Sequence, residues 1–135
     1  MKQMTMQGVL VATFAAIGFF LFGQSDDGKG ISVEDAQRMI ERDSSVVVLD
    51  VRTQAEFAGE LGHIRSAVLI PVQELEQHIA ELDTSKTILA VCRTGRRSAR
   101  ATELLSQRGF TVLNVQGGMV EWNAMQLPVA KESDD

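Results

Sequence analysis

Apolar residues in this chain come in short blocks separated by polar turns, and the spacing inside each block predicts an element. Val33, Ala36, Met39 and Ile40 recur at helical spacing behind Ser32, a residue type that caps helices. Val46-Val47-Val48-Leu49 is an unbroken β-branched run ending at Asp50, which reads as a buried strand. Thr53-Gln54-Ala55-Glu56 carries the capping-box pattern, so a short helix follows the Asp50–Arg52 loop at once. Gly62-His63-Ile64 reads as a loop, and Ala67-Val68-Leu69-Ile70 as a second strand stopped by Pro71. Val72, Leu75, Ile79 and Leu82 line one face of another helix, with Glu74, Glu76, Gln77 and Glu81 turned to water. Thr87 to Val91 is a third buried strand. A helix from Ser98 to Arg108 follows it, with Ala101, Leu104 and Leu105 inward and Gly109 just past its end. Phe110 to Val115 forms the last strand, and Gly117-Gly118 turns into a short helix carrying Trp122.

Strands alternate with helices, and the strands are apolar throughout instead of alternating with polar residues. That pattern predicts the α/β class, with a mostly parallel sheet covered on both faces. The chain has 135 residues, enough for one compact domain, with no internal repeat. Residues 1–23 stand apart. Between Met1 and Phe22 the only charged side chain is Lys2, and the segment reads as a hydrophobic helix serving as a signal anchor or signal peptide. With Lys2 on one side and Asp26 and Asp27 on the other, the positive-inside bias places the domain on the periplasmic or outer side of a membrane. A polar linker spans 24–30, the folded domain is expected over 31–130, and 131–135 is a polar tail.

Charge changes the picture at one place. The net charge is −5, which argues against a nucleic-acid partner. Yet five arginines fall between Arg93 and Arg108, beside the only cysteine, Cys92. A lone cysteine forms no intramolecular disulfide, and no Cys/His cluster with metal spacing is present. Cys92 lies between the strand Thr87–Val91 and the helix starting near Ser98, at the carboxyl edge of the sheet, where α/β proteins bind ligands. Arg93-Thr94-Gly95-Arg96-Arg97 can curl its amides inward, and a helix N-terminus behind such a turn favours anions. The same field stabilises a thiolate, so the cluster is expected both to activate Cys92 and to attract a small anionic substrate.

In these residues the chain resembles the rhodanese family, specifically its single-domain members. The pieces are VVVLDVRTQAEFAGE with Asp50 and Arg52, GHIRSA with His63, IPVQEL, AVCRTGRRSARA and NVQGGMVEWNAMQLPV. The resemblance covers Ser32 to Val129 and implies a three-layer α/β/α fold. It implies a sulfurtransferase in which Cys92 takes the outer sulfur of thiosulfate or a similar donor, holds it as a persulfide and passes it to a thiol or to cyanide. An acceptor protein is one form such a thiol takes, and the chemistry calls for no metal or cofactor. Carried over by position, Arg93, Thr94, Gly95, Arg96, Arg97 and Ser98 form the cradle for anion and persulfide. Asp50 and Arg52 either brace that loop or form a simple surface ion pair. The chain departs from the family at Arg65-Ser66, where many relatives have Pro-Gly. His63 is expected to order its loop, and Trp122 to pack. Two rival readings share these features. A cysteine phosphatase or arsenate reductase usually spaces cysteine, five residues and arginine, whereas here Arg97 comes one place early and Ser98 stands in the arginine's position. A non-catalytic binding or regulatory module has usually lost the cysteine that this chain keeps.

Overall fold

The computed structural model describes residues 28–131. The expected N-terminal hydrophobic helix at 1–23 lies outside them. Among the described residues no helix is long and apolar enough to cross a membrane.

Five strands form one sheet: β1 (Gly30–Ile31), β2 (Val46–Asp50), β3 (Val68–Leu69), β4 (Thr87–Val91) and β5 (Thr111–Val115), in the order β1-β5-β4-β2-β3. Every pairing is parallel. The helices are α1 (Val33–Arg42), α2 (Gln54–Phe57), α3 (Leu75–His78), α4 (Arg96–Gln107) and α5 (Gly118–Ala124). Successive strand side chains point to opposite faces, and both faces are covered. Leu49, Ile88, Ala90 and Val112 pack on one side with Leu75 of α3 and Ala101 and Leu105 of α4. Val48, Leu89, Val91 and Val115 pack on the other with Val33 and Ala36 of α1 and Met119 and Trp122 of α5. The layers are therefore helix, sheet, helix, as the apolar strand runs require.

The caps behave as the side chains dictate. Ser32 accepts from the amide of Asp35 at 3.1 Å, and Thr53 and Glu56 exchange both bonds of a capping box at the start of α2. Trp122 is fully buried and its indole N–H donates to the Pro128 carbonyl at 2.8 Å.

Several boundaries differ from the sequence pattern, among them β3, which spans only Val68–Leu69. The continuous helix expected from Val72 to Leu82 is instead a 3-10 turn (Val72–Glu74), the single turn α3 and a second 3-10 turn (Ile79–Glu81). Apolar residues three apart satisfy a 3-10 turn as well as an α-helix, so the spacing does not choose between them. Gly30, the last residue of the segment read as a linker, belongs to β1 and pairs with Asn114 at the sheet edge. Most consequential for the site, α4 starts at Arg96 and not near Ser98, because Gly95 already adopts the left-handed conformation that ends the loop.

The register brings two loops together. Asp50 lies directly across from Val91, so Asp50–Arg52 and Cys92 leave the sheet side by side. Where the chain departs from Pro-Gly, Ile64–Ala67 still closes a turn, with the Ala67 amide on the Ile64 carbonyl at 3.0 Å. Ser66 takes the position that needs positive φ, at +70°. A left-handed residue with a Cβ is strained, so Ser66→Gly is expected to stabilise the fold by ~0.5–1 kcal/mol. Chemical denaturation of the two proteins side by side measures this, and an equal or lower midpoint for the glycine variant contradicts it.

Candidate active site

Cys92 follows the last residue of β4, and its side chain is buried, with 1% of the residue exposed. Three hydrogen bonds end on its sulfur: the Gly95 amide at 3.1 Å, the Ser98 amide at 3.4 Å and the Ser98 hydroxyl at 3.3 Å. Burial is the largest single influence on the thiol and pushes its pKa up. The Ser98 hydroxyl and the amides of Ser98, Gly95 and Thr94 together outweigh it, so the thiol ionises below its ordinary value. The sequence pattern credited much of this to the arginines, but the donors that lower the value are amides and a hydroxyl.

Carbonyls of the loop are held from behind, and one of them, that of Arg93, shares its peptide with the Thr94 amide that faces the sulfur. The Cys92 carbonyl accepts from the Met119 amide at 2.8 Å, and the Arg93 carbonyl accepts from the Val120 amide at 3.0 Å. The first turn of α5 thus ties the loop from behind. Such an approach leaves no room at Gly118: a Cβ there would sit 2.4 Å from the Cys92 oxygen and 2.5 Å from the Arg93 oxygen, at φ +58°. Gly95, at φ +102°, turns the chain into α4. Its carbonyl accepts the Ala99 amide at 3.2 Å and the side-chain amide of Asn114, also at 3.2 Å.

The loop arginines divide into two kinds. Arg97 is spent on structure: its guanidinium holds both oxygens of Glu56, at 2.8 and 2.9 Å. That bond is the main cause of a Glu56 pKa lowered to about 2. In return Glu56 raises the pKa of Arg97, and the charges of Cys92 and Asp50 add to the effect. Arg93, Arg96 and Arg100 are exposed. An open groove of about 650 Å³ is lined by Thr94, Arg96, Arg97, Ala99 and Arg100. A smaller one of about 260 Å³ has Arg93, Arg52 and Glu56 in its wall.

Asp50 and Arg52 are not a surface ion pair. Their side chains are 0% and 1% exposed and meet at 2.8 Å. Arg52 also donates to the carbonyls of Gly62 at 2.8 Å and Glu56 at 3.2 Å, so the pair ties α2 and the Gly62 turn to the end of β2. His63 lies in the same layer, stacked on Phe57 with ring centroids 3.8 Å apart, and exchanges backbone bonds with Ala130. The residues singled out around Cys92 are therefore gathered at one edge, with Asp50 and Arg52 buried at the end of the neighbouring strand.

Three contributors escaped the sequence pattern. Glu56 registered only as half of a capping box, although it also anchors Arg97. Asn114, a polar side chain between Leu113 and Val115 of the last strand, accepts from the Ser98 hydroxyl at 2.6 Å, and its polarity there was the available signal. The Gly117-Gly118 pair registered as a turn and not as the close approach behind the thiol. Among the described residues no group of three or more His, Cys, Asp or Glu side chains is placed to hold a metal ion.

Comparison with known proteins converges on one family. Residues 32–125 match the family model described as rhodanese-like domain. The chain is similar to the putative sulfurtransferase YtwF of Bacillus subtilis, 34% identical over 100 residues, covering 74% of this chain and 95% of that one. It is similar to the thiosulfate sulfurtransferase PspE of Escherichia coli, 34% identical over 73 residues, covering 53% of this chain and 68% of the relative. Among solved structures, a rhodanese-related protein from Thermoplasma volcanium aligns with a TM-score of 0.71 at 34% identity, over 77% of this chain and 99% of that one.

Two outcomes are expected from this geometry. Gly118→Ala forces α5 away from the loop, which costs roughly 2–3 kcal/mol of stability and loosens the amides around the sulfur. Thermal unfolding and the pH profile of iodoacetamide alkylation read the two effects; an unchanged melting temperature would show that the close approach is not a constraint. The second concerns acid. Glu56 has its pKa lowered from 4.5 to about 2, so the unfolded chain binds the proton first as pH falls. Its stabilising contribution is complete above pH 4.5 and disappears towards pH 2. Glu56→Gln should therefore flatten the stability profile between those values, and an unaltered slope contradicts the pairing.

Proposed function

The chain belongs to the family of rhodanese-like domains, and on that premise we propose that it is a sulfurtransferase whose Cys92 carries the sulfur as a persulfide. The observation that supports this most directly is the convergence of the Gly95 and Ser98 amides and the Ser98 hydroxyl on one buried sulfur. Such donors favour the thiolate, which is the nucleophilic form. The sulfurtransferase names of the relatives point the same way.

In the first half-reaction the Cys92 thiolate attacks the outer sulfur of a sulfane donor. With thiosulfate, a bond forms between Cys92 Sγ and the outer sulfur, and the bond from that atom to the sulfonate sulfur breaks. Sulfite leaves with the electron pair, and the negative charge of residue 92 moves to the outer sulfur. In the second, an acceptor thiolate or cyanide attacks that outer sulfur, and Cys92 leaves as the thiolate. Sulfur is exchanged and no electrons are gained or lost overall. Arg93 and Arg96, exposed beside the loop of an acidic chain, draw the dianionic donor in. Arg97 is a positioning residue held by Glu56, and Asp50 and Arg52 brace the wall behind it. The choice of thiosulfate as donor follows the Escherichia coli relative, a thiosulfate sulfurtransferase, and the anionic preference of the loop.

A phosphatase reading has less support. Ser98 stands where such enzymes need an arginine, and the arginine one place earlier is committed to Glu56.

Incubation with thiosulfate is expected to add the mass of one sulfur atom to the intact protein, removed by cyanide with release of thiocyanate. The Cys92→Ser variant should gain nothing and release no sulfite. A folded wild-type protein that stays at its original mass would overturn the assignment and favour a binding module.

A further inference from the structure

The Ser98 hydroxyl has one proton and two acceptors. Its oxygen lies 3.3 Å from Cys92 Sγ and 2.6 Å from Asn114 Oδ1. The orientation of Asn114 is fixed from the other side. Its Nδ2 lies 3.2 Å from the Gly95 carbonyl, which only accepts, so Oδ1 faces Ser98 as an acceptor for the hydroxyl proton. Ser98 is fully buried, and among the described residues no buried side-chain nitrogen or oxygen lacks a partner. A donor without an acceptor at this depth is costly.

The proposed reaction moves charge at this spot. In the free protein the anion is Sγ itself. In the persulfide, Sγ is a neutral bridging atom and the charge sits on the outer sulfur. The amides of Gly95 and Ser98 are fixed by the backbone and cannot follow. The hydroxyl can, by rotation about its own C–O bond, with no proton transferred.

We propose that Asn114 is a positioning residue that gives the Ser98 hydroxyl a second acceptor, so that its proton points to Sγ in the thiolate and turns to Asn114 Oδ1 in the persulfide. The proposal rests on the persulfide reading of Cys92. It also gives a reason for a polar side chain in the apolar strand β5. Because Gly95 keeps the Ala99 amide on its carbonyl at 3.2 Å, the loop does not depend on Asn114 alone for its shape.

Asn114→Leu removes the second acceptor at similar volume and leaves the hydroxyl only the sulfur. The thiolate then gains relative to the persulfide. At a fixed ratio of thiosulfate to sulfite, the persulfidated fraction read by mass spectrometry should correspond to an equilibrium constant ~2- to 10-fold lower, the size of one net hydrogen bond. The midpoint of the iodoacetamide pH profile should move to lower pH. Arg93, Arg96, the Arg97–Glu56 pair and the Asp50–Arg52 pair are the same in every protein compared. In a Ser98→Ala background the Asn114 substitution should change neither quantity, which a merely structural effect would not reproduce. Asn114→Ala is measured alongside, since alanine fits a strand without steric demand if leucine disturbs folding.

Shifts present with Ser98 and absent without it support the proposal. No shift, or equal shifts in both backgrounds, overturn it while leaving the sulfurtransferase reading intact. If the wild-type protein forms no persulfide, that reading fails first and the hydroxyl has no cycle to follow.

Discussion

The candidate site depends on one constraint: the loop after Cys92 must turn its Thr94, Gly95 and Ser98 amides towards the sulfur while its outward carbonyls are held elsewhere. A turn does not do this unaided, because each outward carbonyl needs a donor of its own. The Met119 and Val120 amides supply two, and they reach the loop only because Gly118 has no side chain. Asn114 and Ala99 serve the Gly95 carbonyl. The cradle is thus made by α5 and β5 as much as by the loop itself, and its parts lie far apart in sequence.

Charge around this loop is arranged in two layers with different work. The inner layer consists of ion pairs whose partners are fixed: Asp50 with Arg52, and Glu56 with Arg97. A buried pair such as the first contributes little net stability by itself, because desolving two charges offsets most of their attraction. Its value here is geometric, since Arg52 also collects the carbonyls of Gly62 and Glu56. The outer layer is Arg93, Arg96 and Arg100, exposed on a chain of net charge −5. Cations placed there raise the local concentration of an anion without having to hold it tightly.

Periodicity was enough for the layers of the fold and for the place of Cys92. The β-branched runs at Val46–Leu49 and Thr87–Val91 are buried strands, and the cysteine sits at the carboxyl edge between β4 and α4 as the alternation of elements requires. Contacts between distant segments were not legible, because spacing within a segment carries no information about which partner it meets. Glu56 completes a capping box with Thr53, and nothing local announces that the same carboxylate reaches Arg97, 41 residues on. The sequence pattern credits the arginines beside the loop amides and the helix N-terminus, whereas the groups bonded to the sulfur are amides and a hydroxyl. Sequence counts charges readily, but which amides meet the sulfur depends on how distant segments hold the loop, and only the fold supplies those.

Opposing influences on the thiol have a chemical rationale in the reaction proposed. Residue 92 must attack in the first half-reaction and depart in the second. Lowering the pKa of a thiol raises the fraction present as thiolate and makes it a better leaving group, yet weakens it as a nucleophile. A sulfur stabilised by amides alone, in open water, would leave well and attack poorly. Here burial pulls the pKa up while the Ser98 hydroxyl and the amides of Ser98, Gly95 and Thr94 pull it down, and the donors prevail. Burial removes competing water from the sulfur, and neutral donors keep the anion populated, while Arg97, near enough to feel its charge, is bonded to Glu56. A cysteine serving both as nucleophile and as leaving group is best placed between those extremes, and a buried sulfur in a ring of neutral donors is a physical way to hold it there.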